Sequence, residues 1–120
     1  MKAIHKARIK VWVEALRSGE YEKGKGALRT GDTFCCLGVA CEVYRRKAKK
    51  GHWNGGWFAA SKKSEHRSIL PREVAKWLGL TSDPVVTLKS RESVSLINLN
   101  DGRGYSFKRI AKVIEKNFLE

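Results

Sequence analysis

The stretch Ser106-Phe107-Lys108-Arg109-Ile110-Ala111-Lys112-Val113-Ile114-Glu115-Lys116-Asn117-Phe118 carries the clearest structural signal in the chain. Phe107, Ile110, Ala111, Ile114 and Phe118 recur at i, i+3, i+4, i+7 and i+11, the spacing of one apolar face of an α-helix. Ser106 stands where an N-cap hydroxyl is needed. Lys108, Lys112 and Lys116 form a basic ridge, which solvation alone can explain. Such a helix needs a core to lie on, and the other end of the chain supplies a partner. Within Ala3–Arg17, Ile9, Trp12, Val13 and Leu16 repeat at helical spacing, with Lys2, Lys6 and Lys10 on another face. Ser18-Gly19 ends that helix.

Between these two helices the pattern weakens. Residues 20–33 are studded with Gly24, Gly26 and Gly31 around Lys23, Lys25 and Arg29, which reads as a loop with a short extended stretch at 27–30. Asp32 or Thr33 can then cap a second helix with Cys36, Leu37, Ala40, Cys41 and Tyr44 as its apolar stripe. Gly38 inside it costs up to about 1 kcal/mol relative to alanine, so a close contact is expected there. After the basic run Arg45-Arg46-Lys47-Ala48-Lys49-Lys50, residues 51–68 show no period and read as a long loop or an irregular hairpin. Pro71 opens a short helix with Val74, Trp77 and Leu78 inward and Gly79 at its end. Asp83-Pro84 turns into a short strand at 85–88, and a helical turn at 95–99 is broken by Asn100-Asp101-Gly102. The expectation is one domain over residues 1–120, of class α+β. It is helix-rich, with a short two- or three-stranded sheet and a C-terminal helical hairpin.

Composition bounds the function. Twenty-five Lys and Arg face twelve Asp and Glu, a formal +13, and the pI is near 10.0. That balance favours phosphate-rich partners. No run of about 18 apolar residues is present, so no membrane span is expected. The basic start Met1-Lys2-Ala3-Ile4-His5-Lys6 lacks the apolar segment of a signal peptide, which points to a cytoplasmic protein. Three cysteines, Cys35, Cys36 and Cys41, read as reduced thiols.

Four motifs could carry chemistry. Gly19-Glu20-Tyr21-Glu22-Lys23-Gly24-Lys25-Gly26 approaches a phosphate-binding GxxxxGK[ST] loop. It fails because Gly26 replaces the magnesium-binding hydroxyl and a helix, not a strand, precedes it. Free N–H groups beside Lys23 and Lys25 could still cradle a phosphate, while the bland alternative is a turn-rich connector. Cys35, near a helix N-terminus, could be an activated thiolate with His52 or His66 as base, although packing accounts for it as well. Zinc is disfavoured, since there is no CxxC and the histidines are scattered. Residues 106–111 resemble the first helix of a helix-turn-helix with no reading helix after it. Trp53 and Trp57, set among Lys and Gly, could stack on bases or anchor a loop.

One further set of residues carries a resemblance. It comprises Trp12, Ala15-Leu16-Arg17-Ser18-Gly19-Glu20-Tyr21, Gly24-Lys25-Gly26, Phe34-Cys35-Cys36-Leu37-Gly38-Val39, Leu70-Pro71, Val74 and Trp77. It continues in Leu99-Asn100-Asp101-Gly102, Ser106-Phe107, Ile110-Ala111 and Ile114-Glu115. Across nearly the whole chain this series resembles a group of small bacteriophage- and prophage-encoded proteins without an established activity. The resemblance implies a phage accessory role in the bacterial host cytoplasm. Joined to the basic glycine loop, it sets the functional expectation: a non-catalytic binding protein, without cofactor or metal, that captures a phosphate-bearing ligand, for example a nucleotide signal of host immunity. Lys23, Lys25, Arg29, Asn100, Asp101 and Arg103 are the expected ligand-binding residues, and Trp53 and Trp57 the expected base-stacking ones. Asn100 and Asp101 also suit a plain turn. A homo-oligomer would multiply the sites. The alternatives are non-specific nucleic-acid binding and docking onto an acidic host protein.

Overall fold

The computed structural model describes residues 1–120 in full. Helix α1 spans Ala3–Arg17 and buries Ile9, Trp12, Val13 and Leu16. The periodic C-terminal stretch is α4, Phe107–Phe118, which buries Phe107, Ile110, Ala111 and Ile114 against α1. Ser106 caps it, its Oγ accepting from the Arg109 N–H at 3.2 Å. Arg17 closes the α1–α4 pair on its outer side with a two-pronged hydrogen bond to Glu115.

Between them runs α2, Cys36–Ala48, the central helix, in which every residue from Cys36 to Tyr44 is buried. A helix buried all round sits inside a domain rather than on its surface. The cap expected from Asp32 or Thr33 is supplied instead by Cys35, whose Sγ accepts from the Gly38 N–H at 3.4 Å. Thr33 is unavailable because Thr33–Phe34 forms strand β3, which pairs in parallel with β1, Glu22–Lys23, and antiparallel with β2, Arg29–Thr30. Gly38 has the close contact that its position implied. A Cβ there would lie 1.8 Å from the Leu28 carbonyl oxygen.

Residues 51–68 form a three-stranded antiparallel meander: β4 His52–Asn54, β5 Trp57–Ser61 and β6 Ser64–His66. No period of two shows in the sequence because Phe58, Ala59 and Ala60 are buried in succession and the register shifts between Ala59 and Ser61. Helix α3, Arg72–Leu78, follows Pro71 and ends at Gly79 in the left-handed conformation, φ +74°. Strands β7, Val85–Thr87, and β8, Ser93–Ser95, make a separate hairpin. The fold is thus α+β, with its strands divided among three small sheets.

The helical turn expected at 95–99 continues through the predicted break. Residues 98–102, Asn98–Gly102, form a π-helical turn that contains Asn100 and Asp101. One cluster of 27 buried residues, from Ile9 to Ile114, unites these elements. No helix is long and apolar enough to cross a membrane.

A basic, tryptophan-lined cleft as candidate functional site

The expected ligand set is divided among three places. The first is the glycine-rich loop. Asn100 is fully buried, and its side chain joins three segments. Its Oδ1 accepts from the Cys36 N–H at 3.1 Å, and its Nδ2 donates to the Gly24 carbonyl at 2.9 Å and to Asp101 Oδ1 at 2.8 Å. Lys23 Nζ donates to the Asn100 carbonyl at 2.8 Å, and the Gly26 N–H donates to Asp101 Oδ2 at 3.1 Å. The Gly24 N–H donates to the Phe34 carbonyl. The Gly24 and Gly26 N–H groups that suggested a phosphate cradle are therefore satisfied from within, one of them by a carboxylate. Lys25 is exposed beside this network. Arg103 lies in a second place, paired with Glu92.

Arg29, Trp53 and Trp57 come together in the third place, an open cleft of about 620 Å³ between β2 and the β4–β5 hairpin. A fourth residue, Arg67, completes it. Arg67 follows β6 directly, and its carbonyl accepts from the Leu28 N–H at 2.6 Å, so a backbone bond sets both arginines in register. The hairpin turn closes in from the other side. A Cβ on Gly56 would lie 2.7 Å from the Arg29 carbonyl oxygen, so only glycine lets the turn rest there.

Within the cleft the two tryptophans differ. Trp53 is half-buried, edge-on to Phe34 and Phe58, and its Nε1 donates to Glu42 Oε1 at 3.0 Å. Burial alone would raise the Glu42 carboxyl. The hydrogen bonds from Arg45 and Trp53, with the charges of Arg45 and Arg46, outweigh it and hold Glu42 below the usual carboxylate range. Glu42 thus stays an anion that anchors the indole. Arg29 spreads its guanidinium over Trp53 at 5.6 Å and Phe34 at 5.4 Å, with Nε donating to the Gly31 carbonyl. Trp57 is 46% exposed and presents its ring to solvent. Trp53 therefore supports Arg29, and Trp57 is the open ring of the cleft.

Neither Arg29 nor Arg67 pairs with a carboxylate, and none lines the cleft. Two unpaired guanidinium groups beside an exposed indole can hold a phosphate by charge-assisted hydrogen bonds while the ring takes a planar group. Arg67 escaped the sequence reading because it belongs to no motif. Only the Leu28–Arg67 backbone bond brings it to Arg29.

The cysteines are placed differently from a reactive site. Burial pushes the Cys35 thiol up to about 11, against weaker opposition from the Gly38 and Leu37 N–H groups. Burial also raises Cys36 and Cys41 well above the ordinary thiol value. The folded state therefore holds its thiol protons at a pH where the unfolded chain releases them, so stability falls as pH rises above about 9. By pH 11 Cys35 alone should remove roughly 2 kcal/mol. Urea unfolding between pH 8 and 11 checks this, and a Cys35→Ser variant should show a shallower decline.

A small basic α+β domain with an arginine–tryptophan cleft is the class that fold and site define. The chain belongs to the family described as domain of unknown function DUF8296, whose model matches residues 5–118. No curated protein and no solved structure matches it.

Proposed function

We propose that this protein is a non-catalytic binding protein that captures a nucleotide in the Arg29–Arg67–Trp57 cleft. One observation carries the reading: two guanidinium groups without carboxylate partners flank an exposed indole in a cleft of nucleotide-sized volume, about 620 Å³. The base stacks on Trp57 and the phosphates lie between the arginines. The resemblance to phage-encoded proteins supports a setting in the host cytoplasm, where capture would withdraw a nucleotide signal of host defence.

Calorimetric titration with mono-, di- and cyclic nucleotides tests this, with nucleosides and inorganic phosphate as partial ligands. Arg67→Ala should weaken nucleotide binding by about 1.5–3 kcal/mol, the range for a charged hydrogen bond. Trp57→Ala should cost about 1–3 kcal/mol, the range for base stacking. Both side chains are exposed, so stability should change by no more than about 0.5 kcal/mol. Lys25→Ala, outside the cleft lining, should leave affinity almost unchanged. Silence of the folded protein across the panel would overturn the reading, and a loss at Lys25 equal to that at Arg67 would move the site to the glycine loop.

A further inference from the structure

A second groove, of about 660 Å³, runs between the β7–β8 hairpin and α4. Its two walls are fastened together by Asn117 on α4. The Asn117 side chain accepts from the Thr87 N–H at 2.9 Å and donates to the Thr87 carbonyl at 3.1 Å, so it reads the strand as a neighbouring strand would. The groove is therefore built into the fold. Lys89 stands on the hairpin side, and Arg109, Lys112 and Lys116 stand on α4. None of these four has a carboxylate partner. Of the glutamates along the groove, Glu92 is held by Arg103 and Glu115 by Arg17, which leaves Glu120 at the chain end.

We propose that this groove is a separate site for the sugar–phosphate backbone of a polynucleotide. Lys112 and Lys116 lie one turn apart, about 6 Å along the helix, a spacing comparable to that of neighbouring phosphates on an extended strand. The only aromatic ring in the groove, Tyr105, is covered by the Arg109 guanidinium at 3.7 Å. No open ring is left for a base to stack on, so binding here rests on the charge of the backbone. An acidic protein fits less well. Protein interfaces draw most of their affinity from buried aromatic and arginine anchors, and the one aromatic ring of this groove, Tyr105, is already covered by Arg109.

Fluorescence anisotropy of a labelled oligothymidylate across a salt series tests the site independently of nucleotide capture. Log affinity should fall linearly with log salt. The triple variant Lys89→Gln/Lys112→Gln/Lys116→Gln should flatten that slope by about 2, at roughly 0.7 for each phosphate no longer neutralised. The side chains of these lysines make no hydrogen bonds within the fold, and a matching triple Lys→Arg variant should keep the original slope. Trp57→Ala/Arg67→Ala, which removes the other cleft, should leave the slope as it is. An unchanged slope in the glutamine variant would overturn the proposal. So would loss of oligonucleotide binding in the Trp57/Arg67 variant, which would place both ligands in one cleft. Competition by polyglutamate as strong as by unlabelled oligothymidylate would overturn it in favour of an acidic protein partner.

Discussion

Replacing Gly38 by alanine is expected to destabilise the fold by on the order of 4 kcal/mol and to lower Tm by roughly 15 °C. The added methyl would sit 1.8 Å from the Leu28 carbonyl oxygen and 2.7 Å from the Leu28 carbonyl carbon. Neither side can give way easily. Gly38 lies in the fully buried part of α2, and Leu28 is fastened twice, through its N–H to Arg67 and through its carbonyl to the Cys35 N–H. Relief would have to come from moving Leu28. That shift would open the Leu28–Arg67 bond and part the two arginines of the cleft. Gly38→Ala should therefore lose nucleotide affinity together with stability, although Gly38 is buried in α2 and lines no part of the cleft. Thermal melts followed by calorimetry below the lowered Tm would show it. A melt within a few degrees of the parent would mean that the helix and the loop do not meet in this way.

The helices were legible because each carries its own local signal. The apolar stripes of α1 and α4, the Ser106 cap, and the bracketing of α3 by Pro71 and Gly79 all act over a few neighbouring residues. The sheets were only partly legible, for the opposite reason: extended stretches were expected at 27–30 and 85–88, where β2 and β7 lie, but the pairing of the strands was not. Their strands are two to five residues long, and β1 finds its partner β3 about ten positions further along the chain. No alternation can show over two residues, and a register shift in β5 erases it over five. The second helix was located but its cap was misplaced. Cysteine is an unusual N-cap, and the tempting Thr33 was already taken up by β3.

The cleft was half legible. Arg29, Trp53 and Trp57 stood out by residue type among glycines, but their division of labour depends on contacts far apart in sequence. Trp53 is drawn inward by Glu42 on α2 and by Phe34 and Phe58, which leaves Trp57 as the open ring. Asn100 shows the reverse error. A polar residue without an evident packing purpose looked like a ligand contact, and it proves to be the buried joint between the glycine loop and the start of α2.

Asn100→Ala should accordingly cost about 3 kcal/mol of stability. It leaves the buried Cys36 N–H and the part-buried Gly24 carbonyl without their partners, at roughly 1–3 kcal/mol for each unsatisfied group. Asn100→Asp separates the two halves of that joint. The introduced carboxylate can still accept from Cys36, but its second oxygen would face the Gly24 carbonyl and the Asp101 carboxylate, where the amide now donates. Two carboxylates at that distance resist ionising together, so the introduced group is held protonated in the folded protein to a higher pH than in the unfolded chain. Its penalty should then be largest at neutral pH and shrink as the pH falls towards about 4, where the proton restores a donor. Urea unfolding of both variants at about pH 7 and about pH 4.5 measures this. Asn100→Ala should show no such recovery beyond that of the parent. Nucleotide affinity per folded molecule should stay close to the parent value in both, because Asn100 does not line the cleft. A variant that melted like the parent yet lost nucleotide binding would return Asn100 to the ligand site.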